Sequence, residues 1–331
     1  MTDLTIVEAL QAVVGATSEK DTIPVLKHFA FRNGVVYATD GRMTLSAPCP
    51  ELAAIEGTVD AERMLAAIIG LSEDEVSWKH EITASHIIVK SKHFTARLPF
   101  GTLDSFPFPE EQLTIMKYRK LKLLPLLKLL HPFVSTDASR PWSCGVYFGG
   151  MFAAATNNAV LALCPIPINI THDFMLPLFA IDELLRLDQE PLGYHLGENR
   201  VTFKLPQGIL LHSSLFNEQW PKPPVVLLKQ LATDAKYKAI SANVPAALER
   251  LLPFCLDPKA PVICFDEATM STVAGEVQGI MQGLKGLGQC RFRAEPLREV
   301  LKVATHADFT KFPRVPWRGE EIEGIIVGVM A

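Results

Sequence analysis

Apolar positions recur at helical spacing in six segments of the chain, and these segments start at regular intervals. The first, 5–15, places Ile6, Leu10, Val13 and Val14 on one face. Its Thr5 and Glu8 have the spacing of a capping box, in which each side chain satisfies a free backbone N–H. The second, from Asp60, aligns Met64, Leu65, Ile68 and Ile69. The third, from Leu124, opens with Pro125, where a missing N–H does no harm. The fourth, from Ala180, carries Ile181, Leu184 and Leu185. The fifth, from Val244, repeats apolar residues at 244, 247, 248, 251 and 252, and the sixth, from Ala294, does so with Leu297, Val300, Leu301 and Ala304. Between them lie short runs of strand character bounded by Gly, Asn and Asp turn signals: "HFAFRNG", "VVYATDG", "EVSWKHE", "HIIVKS", "GVYFGG", "RVTFKLP", "PVICFDE" and "EIEGIIVGV".

The odd-numbered helical segments begin at 5, 124 and 244, in steps of 119 and 120, and the even-numbered ones at 60, 180 and 294, in steps of 120 and 114. Smaller details repeat with them. Pro125 and Pro245 hold the same early position, and "LLHPF" (129–133) is answered by "LLPF" (251–254). "HFTARLPFGTLDSFP" (93–107) and "ILLHSSLFNEQWP" (209–221) both run through a polar loop into an aromatic–proline pair, Phe106-Pro107 and Trp220-Pro221. "VVYATDGRMTL" (35–45) and "FAAATNNAVLAL" (152–163) bring Ala38 and Ala155 into correspondence 117 residues apart. Each Ala-Thr-Asx is read as a strand end turning into its neighbour, with the Asx side chain bonding to turn backbone. The expected architecture is α+β: three tandem copies of about 115 residues, each with two helices on a mostly antiparallel sheet, bounded at 1–115, 116–238 and 239–331.

Composition narrows the class without naming a partner. A chain of 331 residues, 48% hydrophobic and 21% charged, is long enough for several folded cores. No stretch approaches the roughly 18 apolar residues of a membrane-spanning helix, and "MTDLTIVEAL" carries acids where a secretory leader would carry Lys or Arg, so a cytoplasmic protein is expected. The six cysteines lie apart in apolar company and are expected to be buried free thiols. The nine histidines show no metal-ligand spacing, and neither a metal nor a cofactor is expected. A net charge of −4 does not itself suggest nucleic acid, although bases gathered on one inner surface would bind it.

The residues resemble a known family, the bacterial sliding clamp, the β subunit of the replicative DNA polymerase. The family's middle domain reads Arg-Pro-x-Leu-x-Gly-x-x-Phe and then Ala-Thr-Asp-Gly-x-Arg-Leu-Ala; the corresponding stretch here is "SRPWSCGVYFGGMFAAATNNAVLALCP" (139–165). "VVGATSEKDTIPVLKHFAFRNGVVYATDGRMTL" (13–45) is similar to the family's first helix, Pro-containing loop and two strands, and "TARLPFGTLDSFP" and "LFNEQWP" to the corners closing its first two domains. The likeness spans nearly the whole chain, thinning after about residue 255. It implies three clamp domains per subunit and a homodimeric ring whose helices line a central hole. The implied function is that of a non-enzymatic processivity factor encircling duplex DNA.

For such a ring, non-specific phosphate contacts suit sliding. The cations expected to face DNA are Lys20, Arg63, Lys128, Arg186, Arg250, Arg298 and Lys302, on or beside successive helices, with Glu62, Glu249 and Glu299 diluting their field. The resemblance also implies a groove for short peptides of polymerases and clamp loaders, lined by Ser143, Thr156, Asn158, Ala159, Leu161, Pro221, Val226, Ile325, Val327 and Val329. Here the chain departs from the family. Asn158-Ala159-Val160 stands for Gly-x-Arg, Ser143 for Leu, and the tail lacks Met-Pro-Met-Arg-Leu, departures that fit a divergent member such as one carried by a phage.

Two other classes stay open: a three-domain interaction protein of the same fold that closes no ring, and an α+β enzyme. Against the enzyme stand missing signatures, with no GxGxxG after a strand, GxxxxGK[ST], GxSxG or HExxH. "GLKGLGQC" (283–290) lacks the phosphate-binding Lys-Ser, and the carboxylates of Glu73-Asp74-Glu75 and Asp182-Glu183 read as caps or solvated charge.

Overall fold

The computed structural model describes residues 4–18, 23–72, 79–83, 85–91, 93–109, 122–266, 269–273, 278–280 and 290–330. Lys20, Glu73-Asp74-Glu75 and most of "GLKGLGQC" lie outside them. Among the described residues the chain forms seven α-helices: α1 (Ile6–Val13), α2 (Ala61–Ser72), α3 (Leu123–Leu130), α4 (Leu178–Leu187), α5 (Pro223–Thr233), α6 (Asn243–Leu251) and α7 (Ala294–Val303). Six of these sit where the apolar spacing puts them; α5 is additional. The odd members of the repeat end alike. α1, α3 and α6 each tighten into a 3₁₀ turn, at Val14–Ala16, His131–Phe133 and Leu252–Phe254. In the last two, the repeated proline sits where its missing N–H costs nothing.

The contacts divide the chain into two compact units, Met1–Leu124 with Asp182–Leu215, and Pro125–Ile181 with Phe216–Ala331. The sheet topology accounts for this partition. In the first unit a seven-stranded antiparallel sheet runs in the order Gly193–Leu196, Arg200–Lys204, Leu210–Ser214, Met43–Pro48, Val35–Thr39, His28–Arg32, Gly57–Asp60. Strand Leu210–Ser214 is therefore hydrogen-bonded to Met43–Pro48, pairing Leu211 with Leu45 and His212 with Thr44. α1 starts at the Thr5–Glu8 capping box, formed as its spacing predicts, and buries Leu10 and Val13 with Phe29, Phe31 and Leu45 fully out of water. Burial of each such side chain stabilises by roughly 1.5–3 kcal/mol.

In the second unit a six-stranded sheet runs Lys238–Ala239, His306–Ala307, Arg314–Arg318, Glu323–Val327, Val160–Pro177, Gly145–Thr156. A four-stranded sheet accompanies it, and Phe265, Phe292 and Phe309 share a core with ring centroids 5.5–6.1 Å apart. The cysteines form no disulfide; Cys49, Cys164 and Cys290 are buried, and Cys144, Cys255 and Cys264 half-buried. Burial pushes the Cys164 thiol up to about 12 and those of Cys49 and Cys290 up to about 11.

The phrase the chain writes twice is one hairpin built twice. In the first copy Thr39 Oγ1 donates to the Met43 carbonyl (2.7 Å) and Asp40 Oδ1 accepts from the N–H groups of Arg42 and Met43 (both 2.8 Å). In the second, Thr156 Oγ1 donates to the Val160 carbonyl (2.7 Å), and Asn157 Oδ1 accepts from Ala159 (3.1 Å) and Val160 (2.9 Å). The next residue turns left-handed in both, Gly41 at φ 86° and Asn158 at φ 69°, and Gly and Asn are the residues that tolerate this. Asn157→Ala is expected to lower stability by about 1 kcal/mol, because two turn N–H groups lose their acceptor. Asn157→Asp, which restores the chemistry of Asp40, should be near neutral. Chemical denaturation of both variants checks this, and an unaffected Ala variant would contradict it.

Candidate functional site

At the junction of the two longest paired strands with their neighbours, the second unit forms an open cavity of about 470 Å³. Its wall collects residues distant in sequence: Trp142, Thr156, Asn158, Val160, Leu161, Pro224, Leu227, Arg314, Ile325 and Val327. Strand pairing brings them together, since Ile325 lies opposite Leu161 and Val327 opposite Arg314. The sheet can close this tightly because residue 324 is glycine: a Cβ there would strike the Leu161 carbonyl oxygen and the Trp317 ring. Beneath lies a buried cluster of Ala154, Leu161, Leu163, Met175, Trp220, Val225, Leu228 and Ile325.

Aromatic rings brace one side. Tyr147 stacks on Trp220 with centroids 5.2 Å apart at 19°, and Trp142 meets Trp220 edge-on at 6.2 Å and 86°. Tyr147 is held by donating to Asp173 Oδ2 (2.6 Å). Burial, then this hydrogen bond, holds its phenol well above the usual range. Ser143 is fully buried and does not line the cavity; its hydroxyl donates to the Arg140 carbonyl (2.8 Å), fixing the 3₁₀ turn Pro141–Ser143 that presents Trp142. Ala159 also contributes backbone rather than surface, accepting from the Val327 N–H (2.8 Å). Val329 is tied to the Arg291 carbonyl, and Val226 is exposed.

The expected DNA-facing cations divide into two groups. Arg63 on α2 and Arg250 on α6 are exposed and make no ion pair among the described residues; Lys128 on α3 is also exposed. Lys128 has an interaction partner as well, and the remaining three are held in ion pairs. Arg298 pairs with Glu249 (2.7 Å) between α7 and α6, and Lys302 with Glu299 (2.7 Å) along α7. Arg186 is the most committed. It holds Glu183 through Nε (2.8 Å) and Nη2 (2.6 Å) and donates to the carbonyls of Gln11 (3.2 Å) and Ala12 (2.7 Å) at the end of α1. Among the described residues no cluster of His, Cys, Asp and Glu is arranged to hold a metal, and no helix is long and apolar enough to cross a membrane.

Compared by sequence, the chain matches no protein-family model and no curated protein. Compared by structure, it matches solved sliding clamps from end to end. A sliding clamp (DNA polymerase III subunit β) of Bartonella birtlesii, solved bound to griselimycin, superposes with a TM-score of 0.81 at 17% identity, covering 98% of this chain and 97% of the other. The DNA polymerase III subunit β of Pseudomonas aeruginosa gives 0.80 at 18%, covering 98% of both. The β subunit of Streptococcus pyogenes DNA polymerase gives 0.80 at 16%, covering 98% and 97%. The chain has the sliding-clamp fold.

Within that fold the cavity unites five of the ten groove residues named from the sequence, namely Thr156, Asn158, Leu161, Ile325 and Val327. Ser143, Ala159, Pro221, Val226 and Val329 are not part of its wall. Five others complete it: Trp142, Val160, Pro224, Leu227 and Arg314. Pro224 and Leu227 belong to α5, whose signal was present in "PPVVLLKQLAT": Val225 and Leu228 lie three apart and are buried, while Leu227 and Leu231 lie four apart. Nothing in the sequence points to Arg314, because only strand pairing carries it to Val327.

Proposed function

We propose that this protein is a DNA sliding clamp. Two copies close a ring around duplex DNA and, with no catalytic activity of their own, tether polymerases and clamp-loading partners by short peptides seated in the cavity of the second unit. The observation that carries this reading is the fold likeness to solved clamps over 98% of the chain and 97% of theirs. A likeness confined to one domain would say nothing of assembly; one over nearly the whole of both chains supports the ring reading.

The three-part division at 1–115, 116–238 and 239–331 belongs to this proposal. Its support is the threefold helix-to-3₁₀ ending and the doubled hairpin. Arg63 and Arg250, exposed and without an ion pair among the described residues, are the cations we assign first to DNA. Arg186, Arg298 and Lys302 carry their charge inside ion pairs, which makes the field on DNA shallow and compatible with movement. For the cavity, the apolar wall with few polar groups suits peptide side chains, and the griselimycin bound to the Bartonella clamp is a ready probe for it.

After loading, the protein should stay on nicked circular DNA through a high-salt wash and leave within minutes once that DNA is linearised. Equal retention on circle and line would rule out topological binding. A mass by light scattering that remains monomeric at micromolar concentration would favour the interaction protein that closes no ring.

A further inference from the structure

Nine of the ten residues lining the cavity are neutral, and Arg314 is the exception. Its side chain is exposed at the start of strand Arg314–Arg318, and among the described residues it makes no ion pair. Directly across the strand pair stands Val327, part of the apolar wall. The Thr156 hydroxyl is already used on the Val160 carbonyl. The cavity thus offers an entering ligand an apolar wall that includes Trp142, the Asn158 side chain, and one planar cation with no ion pair among the described residues. A carboxylate entering an apolar groove loses hydration and needs a partner, and a guanidinium supplies two parallel N–H donors to it.

We propose that this cavity selects a linear peptide in which an aspartate or glutamate side chain stands beside large apolar side chains, its carboxylate pairing with Arg314. The proposal rests on reading the cavity as a peptide groove. At about 470 Å³ it falls in the range that buries most of a drug-sized ligand, which is room for several peptide side chains.

The test uses fluorescence anisotropy on the full chain with the labelled, amidated peptide Gly-Leu-Asp-Phe-Leu-Gly. Its companions are the same peptide with Asn for Asp, and that Asn peptide with a free terminal carboxylate. The Asp peptide should bind roughly tenfold tighter than its Asn twin, the size of one charge-assisted contact. The difference should vanish in Arg314→Gln and reverse in Arg314→Glu; because Arg314 is exposed, both variants should keep the melting temperature of the natural chain. Equal affinity of Asp and Asn peptides for the natural protein, or a preference that survives Arg314→Gln, overturns the proposal and leaves the groove standing. An Asn peptide rescued fully by its free terminus would show that the cavity reads chain ends, which also overturns it. Failure of every peptide and of griselimycin to bind would remove the groove itself, and this selectivity with it.

Discussion

Replacing Arg186 by alanine should destabilise the first unit by about 3 kcal/mol, the lower part of the range for breaking a buried ion pair. The pair is asymmetric: the Arg186 side chain is 40% accessible but that of Glu183 only 6%. Deleting the guanidinium therefore strands a carboxylate out of water and uncaps the carbonyls of Gln11 and Ala12 at the end of α1. The surroundings are shaped for this pair. A Cβ on Gly15 would lie 2.5 Å from Glu183 Oε1 and 2.6 Å from Arg186 Nε, so any larger residue there would push the pair aside. Adding Glu183→Gln to Arg186→Ala should recover part of the loss, because most of the cost lies in the stranded charge. Urea unfolding of the single and double variants measures both. A single variant that loses less than about 0.5 kcal/mol, the level of a surface pair, would show that the network does not hold α1.

The second large effect is a loss of stability in mild acid. His212 lies in the middle of the seven-stranded sheet, opposite Thr202 on one side and Thr44 on the other, with Nδ1 2.9 Å from the Thr202 hydroxyl. Burial, and secondarily the charge of Arg200, lower its pKa from 6.5 to about 4. The unfolded chain therefore takes up this proton first as the pH falls. Stability from the neutral ring is complete above pH 6.5, is lost progressively between 6.5 and about 4, and levels off below. The loss reaches up to about 3 kcal/mol over that window. His28, also lowered chiefly by burial, adds in the same direction. His212→Gln keeps a polar group beside Thr202 but cannot charge, so its urea midpoint should fall much less between pH 7 and pH 4.5. Parallel pH profiles for variant and natural chain would sink this account. Because His212 sits where strand Leu210–Ser214 joins Met43–Pro48, acid should loosen that join before the rest of the sheet.

Local features were legible in the chain because their physics is local. Thr5 and Glu8 are three residues apart on one turn, so the capping box needs no tertiary partner. Thr156, Asn157 and Val160 close their hairpin within five residues, and the apolar faces of α1, α2, α3, α4, α6 and α7 follow from 3.6-residue periodicity. α5 was missed for the complementary reason: it falls outside the repeat that organised the other six, although its own apolar spacing was there to read. The cations show the limit of reading charges one by one. Arg186 and Arg298 were legible as surface bases, yet their partners Gln11, Ala12 and Glu249 lie 175, 174 and 49 residues away.

By itself, then, the sequence determined a repeated α+β chain with six of its helices and its hairpin turns in place, while half of the cavity wall was named from the likeness to a known family. The tertiary structure alone decided which strand edges meet. Leu210–Ser214 pairs with Met43–Pro48 and Glu323–Val327 with Val160–Pro177, pairings that define the two units and bring Arg314 and Val327 to Leu161 and Trp142. Edge pairing satisfies backbone groups that every strand offers alike. The choice of partner is therefore made by packing and shape across the folded whole, and no short stretch of residues records it.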